Sequence, residues 1–507
     1  MKVDKNQFVK DYINLIGDLD VKHKSVYWWA SFTASKNKFI SKLFSDLYLF
    51  ITEGRMTKKP SGLVAYRDQF RDAIRFIITT WMKIAIARLL FYNRVRKLGK
   101  FGDGYYVLRT WAYEKSVDGF FYDPFFGNTL PSYLSRYRKL LVITGFIGGY
   151  WKTALKLSLL DEEYPIVAQE YFLKFRDPVH AVITAWLNIP EIKDKISFMG
   201  ADVTEIVRNE IERDFKTLVP GHLLYYALSQ RLAKRINIGT YLTTFENNPY
   251  ERMQILGIKQ AWNLTRVYGY HHLPIADSAL NLFISVQEIP IVPTPDKIIT
   301  IGNITRDILG KQGYNCQIVA GCALRFTEKI LQKKSIQIPI RLLVTPEGGL
   351  SESVNMVDFV CDALKDKGVV QVIIRSHPEL PYKKYKPFLK TDVSKFGNVL
   401  LSKSSLKEDI VNSDVLVNRG SSSVLSALKA GMPTIYIEFE NDIVSVDPVK
   451  GNTALKYTVK NGDDLIEALD KIKSLSVESY ESERKRMRSF VDEYLIGVTI
   501  DTLGEFL

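Results

Sequence analysis

Residues 369–380 read VVQVIIRSHPEL, and residues 397–439 read GNVLLSKSSLKEDIVNSDVLVNRGSSSVLSALKAGMPTIYIEF. Short runs of Val, Ile and Leu each end in polar residues, with stretches of helical period between them. Such runs mark parallel strands buried on both faces and joined by helices. Open sheets of this kind bind ligands where their strands end. Two polar ends stand out: Arg375-Ser376-His377-Pro378-Glu379 and Asn418-Arg419-Gly420-Ser421-Ser422-Ser423.

Outward from this stretch the alternation continues. RLLVT at 341–345 precedes a helix expected over 351–366, and YTVKN precedes the helix DDLIEALDKI, with Asp463 as its expected N-cap. Upstream, YYVLRTW, KLLVITGF, YPIVAQE, GTYLTTFEN, TRVYGYHH, KIITIGN and CQIVAGCALRF read as strands, with helices at 177–187, 204–216 and 221–235. The expected fold class is α/β: two Rossmann-like domains with a helical N-terminal extension. The segments are an extension over 1–104, a first domain over 105–326, a linker over 327–340, a second domain over 341–475 and a C-terminal helix over 476–507. Two such sheets are expected to leave a cleft lined by their strand ends.

Of the net charge of +13, residues 1–100 hold +12, with 20 Lys and Arg against 8 Asp and Glu. No motif that reads RNA or DNA accompanies it, so nucleic acid is not an expected partner. A basic segment confined to one end fits an anionic membrane surface better. Residues 66–97 read as one long helix, with Arg67, Arg71, Arg75 and Lys83 on one side and Phe70, Ile74, Ile77, Trp81 and Ile84 roughly opposite. Its charges argue against crossing a bilayer. Its apolar face packs on the protein's own core or lies in a membrane interface. The aromatic stretch 20–50 poses the same choice. The three cysteines, Cys316, Cys322 and Cys361, lack ligand spacing and read as buried, reduced thiols. MKVDKNQFVKDY has no apolar signal core, so a cytoplasmic location is expected.

Three turns offer phosphate chemistry. In Thr345-Pro346-Glu347-Gly348-Gly349, the glycines let backbone approach a ligand beside a helix start. His377, at a strand end, can donate to a phosphate oxygen or protonate a leaving group, and the bland alternative is a surface-loop His. Ser421, Ser422 and Ser423, following Arg419, suit an anion site, although serines at a helix start also serve as caps. Earlier in the chain, Glu246 follows a strand and is the candidate base, against the alternative of a buried structural carboxylate. Glu251 is expected to cap a helix or pair with Arg252. His272 is a candidate substrate contact or a core histidine. Asp18-Leu19-Asp20 spells a metal motif of a different fold but does not follow a buried strand, so no metal is expected.

The residues Arg375-Ser376-His377-Pro378 and Ser421-Ser422-Ser423 resemble the HP and SS motifs of bacterial GT-B glycosyltransferases that build surface polysaccharides, among them capsule sialyltransferases and Kdo transferases using CMP-activated sugars. SALKAGMPTIYIE is similar to an element found broadly in GT-B donor domains. The resemblance covers roughly residues 340–475. It extends more faintly to Phe245–Arg252 and Gly269–His272, which look like segments of related polymer transferases. It implies a nucleotide-sugar donor, held through its phosphate by His377 and the serines, with Arg375, Arg419 and the Gly348-Gly349 turn as further candidates at the same strand ends. It further implies a base from the first domain, acceptor or donor contacts by Arg252 and His272, and a glycan or lipid-linked glycan acceptor. No cofactor is implied, since the nucleotide-sugar is a substrate, and the implied location is the inner face of the cell membrane. Rival readings are a CDP-glycerol polymerase, a nucleotide-sugar 2-epimerase and a non-catalytic scaffold.

Overall fold

The computed structural model describes residues 3–55, 63–99, 104–327, 336, 339–364, 370–390 and 392–507. Most of the expected linker falls outside these residues. The chain forms two compact units, each α/β and each built on a parallel sheet. Unit 1 takes residues up to 272, then 279–325 and 497–507; unit 2 takes 273–278 and 326–496.

The unit 1 sheet has seven strands: β1 (Tyr105–Tyr113), β2 (Leu140–Ile147), β3 (Ile166–Ala168), β4 (Ile238–Thr244), β5 (Arg266–His271), β6 (Lys297–Thr300) and β7 (Gln317–Ala320). Their order is β7-β6-β5-β4-β1-β2-β3, every pair parallel. Unit 2 holds six strands: β8 (Ile340–Thr345), β9 (Val370–Ile374), β10 (Val399–Leu401), β11 (Val415–Asn418), β12 (Thr434–Ile437) and β13 (Lys456–Val459). Their order is β10-β9-β8-β11-β12-β13, again all parallel. In both units the first strand is central. The next two go to one side and the later ones to the other, which is the doubly wound order. The chain therefore reverses direction between β1 and β4 and between β8 and β11, and such a reversal opens a crevice at the carboxyl ends.

The apolar runs do what their composition dictates. In unit 2, Leu342, Val344, Val372, Ile374, Val415, Val417, Ile435 and Ile437 are buried. They pack with Met356, Val357, Val360 and Leu364 of the helix Leu350–Leu364 and with Leu465, Leu469 and Ile472 of the helix Gly462–Lys473. Each fully buried side chain of this size contributes about 1.5–3 kcal/mol. The latter helix is capped by Asn461, whose side chain accepts from the Asp464 amide, so the cap lies two residues before the expected Asp463.

Residues 5–53 form helices inside unit 1. Trp28, Trp29, Phe32 and Phe44 are buried, so most of the aromatic side chains of the stretch 20–50 pack in the core, while Phe39 and Ile40 are exposed. Asp18 is exposed while Asp20 is buried and accepts from Trp28 Nε1 at 2.6 Å, so the two aspartates face apart. The expected C-terminal segment divides: the helix Val477–Tyr494 belongs to unit 2, and Phe506 is buried against Tyr270 in unit 1. All three cysteines are free, but Cys316 is only partly buried; burial pushes the thiols of Cys316, Cys322 and Cys361 up to about 12, 11 and 12.

Candidate functional site

In unit 2 the turns after β8, β9 and β11 meet at the point where the strand order reverses. Thr345 ends β8, and its Oγ1 lies 3.0 Å from Ser423 Oγ, which lies 2.8 Å from Ser421 Oγ. Ser423 is buried and ties the two turns together, while Ser421 and Ser422 remain partly exposed. The glycine turn is fixed by Ser353 Oγ, which donates to the Glu347 carbonyl at 2.7 Å, leaving Gly348 and Gly349 exposed. The His377 ring packs over Gly348; a Cβ there would sit 3.2 Å from its Nδ1. The Glu379 amide donates to that Nδ1 at 3.3 Å, so the neutral ring carries its proton on Nε2 and presents a donor. Gly420 has φ +74, and a side chain there would overlap the Glu347 carboxylate. Only glycine satisfies both the left-handed backbone and that close approach.

The two arginines expected on a donor phosphate both have carboxylate partners within unit 2. Arg419 is buried. Its Nε donates to Glu352 at 2.6 Å, its Nη atoms donate to Asp442 at 2.7 and 2.6 Å, and Nη1 also donates to the Ile437 carbonyl. The Arg419 guanidinium also stacks over Phe439 at 4.4 Å. Arg375 donates to Asp409 at 2.8 Å and to the Ser404 carbonyl at 2.6 Å. Arg419 is thereby held inside the fold, while Arg375 braces its loop through Nη1 alone and stays partly exposed. Beside Glu352 and Asp442 runs a groove of ≈ 860 Å³ between the helices Leu350–Leu364 and Gly462–Lys473, lined among others by Asn355, Phe359, Phe439 and Asn441.

In unit 1 the turn after β4 carries Glu246. Asn248 caps the helix Pro249–Ala261 in a reciprocal box with Glu251, whose Oε2 accepts from the amides of Glu246 at 2.8 Å and Asn248 at 3.0 Å. Glu251 is the helix cap and is fully buried. Arg252, expected on a substrate, is also fully buried. It donates to Asn247 Oδ1 at 2.9 Å and the Ala34 carbonyl at 3.1 Å, and so holds Asn247 in its left-handed conformation, φ +57. Glu246 alone keeps its carboxylate accessible, at 28% exposed. Its Oε1 lies 3.6 Å from His272 Nε2, too far for a hydrogen bond, and His272 is buried edge-on against Phe125.

Burial raises the Glu246 carboxyl above its ordinary range, against the pull of Arg325 and Asn248. Burial, with Arg325 and His271, holds His272 well below the usual imidazole range, so it is neutral. The sequence reading missed Arg325, Asn248 and Glu347. The first lies five residues beyond the end of β7, where a lone cation after an apolar strand was the available signal.

Glu251 is pushed from 4.5 up to about 8 by burial and by the charge of Glu246. A carboxyl whose folded value is raised favours folding fully below 4.5, and that contribution is lost as pH rises to about 8. The loss is about 1.4 kcal/mol per pH unit. Glu251→Gln, an amide replacing a neutral acid, removes this dependence. Denaturant titrations from pH 5 to about 9 should show the native chain losing stability relative to the variant up to about 8, and no further above it. A constant difference would mean an ionised Glu251 in the fold.

No family model matches the chain, and no curated protein matches it in sequence. Among solved structures it is similar to a glycotransferase of kitacinnamycin, with TM-score 0.43 and 10% identity over 80% of this chain and 97% of the other. It is likewise similar to MnaA of S. aureus solved with UDP, with TM-score 0.42 and 9% identity over 79% and 94% of the two chains. A third is the trehalose-6-phosphate synthase OtsA, with TM-score 0.45 and 10% identity over 80% and 98%. At these values the likenesses say nothing of this chain's chemistry. Among the described residues no group of three or more His, Cys, Asp or Glu is placed to hold a metal ion.

Proposed function

We propose that the protein is a glycosyltransferase of GT-B type that moves a sugar from a nucleotide-activated donor, a CMP-sugar by preference, to a surface glycan acceptor. The observation that carries this reading is the meeting of Gly348, His377 and Ser421–Ser423 where the unit 2 strand order reverses. Hydroxyls, exposed glycine amides and an Nε2 donor suit a phosphate ester, and such ligands bind doubly wound sheets at this place. The groove beside the site takes the nucleoside. Its exposed carboxylates, Asp362 and Asp463, accept from the exocyclic amine of cytosine, whereas uracil offers a carbonyl at that position.

In the reaction, Glu246 takes the proton of the acceptor hydroxyl as its oxygen bonds to the anomeric carbon. The bond from that carbon to the phosphate oxygen breaks, and the electron pair leaves with the nucleotide. His377 Nε2 and the Ser421 and Ser422 hydroxyls stabilise the charge that develops there, the kind of term that dominates such transfers. Thermal shift against CMP, CDP, UDP and GDP tests the reading, because a ligand that binds only the folded chain raises its stability. The cytidine nucleotides should shift the transition most, and Gly420→Ala should abolish the shift. No shift with any of the four at millimolar concentration would overturn the reading. A donor panel then separates sugar transfer from glycerol phosphate transfer out of CDP-glycerol.

A further inference from the structure

The helix Leu63–Arg96 buries one side within unit 1 and leaves a mixed apolar and basic side exposed. Ile84, Ala87, Phe91 and Val95 are fully buried. Turned away from them are Phe70, Ile74, Ile78, Met82, Leu89 and Tyr92, all exposed, Leu89 by 74%. At 3.6 residues per turn these form a single outward stripe. The same third of the circumference carries exposed Arg67, Arg71, Arg75 and Arg96. On this helix the carboxylates facing them are Asp68 and Asp72, 3.4 and 3.9 Å from Arg71.

The stripe continues onto neighbouring elements. Trp81 Nε1 donates to the Phe175 carbonyl at 2.5 Å, and the exposed Phe175 ring lies under Arg88 at 5.2 Å.

We infer that this face of unit 1 rests on an anionic lipid surface. A water-exposed stripe this apolar is rare on a soluble domain without a partner. Its mixture of aromatic, aliphatic and arginine side chains suits the boundary between acyl chains and headgroups, where arginine stems lie flat and their charges reach outward. The charge is complementary, since this helix carries seven Arg and Lys against Asp68 and Asp72, with Arg67, Arg71, Arg75 and Arg96 exposed on the stripe. No helix among the described residues is long and apolar enough to cross a membrane, so the helix lies along the surface. The inference goes beyond the proposed reaction and stands whether or not the protein transfers a sugar.

Deleting residues 1–100 does not test it, because the helices over 5–53 are core. The experiment is flotation of the full chain with phosphatidylcholine vesicles, with and without phosphatidylglycerol. Binding should require the anionic lipid and weaken with salt. The combined variant Arg67→Gln, Arg71→Gln, Arg75→Gln should weaken partitioning about 100-fold, roughly fivefold per arginine. The combined variant Phe70→Ser, Ile78→Ser, Leu89→Ser should abolish it. Both should keep the native melting temperature, since these side chains are exposed. Failure to bind anionic vesicles, or equal binding by both variants and the native chain, would overturn the inference. So would a dimer in vesicle-free solution that only the serine variant dissolves, because the stripe would then be covered by a second copy.

Discussion

His377→Ala should lower the rate of transfer about 10²–10³-fold, the usual loss when one fixed donor to a developing anion is removed. The ring presents Nε2–H because its Nδ1 accepts from the Glu379 amide. The ring also packs over Gly348, beside exposed glycine amides in the unit 2 turn. Alanine removes the donor without removing a core side chain, so stability should fall by about 1 kcal/mol or less. Affinity for the nucleotide product should fall tenfold or more, since a hydrogen bond to a charged group is worth about 1.5–3 kcal/mol. His377→Gln offers a test of role, because its amide nitrogen reaches a similar place and should restore part of the binding. A surface histidine with no role would leave kcat, nucleotide affinity and the Gln variant all unchanged, and that result would remove the centre of the proposal.

The strands were legible because a parallel strand buried on both faces must be written in Val, Ile and Leu, as at 370–374 and 415–418. The turns were legible because polar residues at such strand ends have few structural duties. What the pattern left out was the partner of each charge. Arg419 looked available in the sequence, yet Glu352 lies 67 positions earlier and Asp442 lies 23 later, and only folding brings them to it. The acceptors of Arg252 were hidden for the same reason, since they include the Ala34 carbonyl, 218 positions away. The helix Leu63–Arg96 was expected to set Arg67, Arg71 and Arg75 opposite Phe70 and Ile74, yet all five are exposed on the same side, and the core takes Ile84, Ala87, Phe91 and Val95 instead. Trp28 resembled an interfacial residue until Asp20 supplied the buried acceptor for its indole.

Glu246→Gln should lower kcat by about 10²–10⁴-fold, the range for loss of a positioned base. Nucleotide affinity should be unaffected, because that binding belongs to unit 2. The expected pH dependence is more discriminating than the rate. A base works only when ionised, so the native rate should rise with pH through a value above the ordinary carboxylate range, to which burial raises Glu246. Two coupled carboxyls titrate in the turn, and the pH profile reports the pair. The charge of Glu246 is one cause of the rise of Glu251 to about 8, which means that Glu246 ionises first and Glu251 keeps its proton. Glu251→Gln should therefore keep the acid limb in place, while Glu246→Gln should remove it together with the activity. Arg325 pulls the Glu246 carboxyl down, so Arg325→Gln should move the same limb to higher pH. If instead the limb survives in Glu246→Gln and vanishes in Glu251→Gln, the two carboxyls have exchanged roles. The accessible one would then be a positioning group for the buried one.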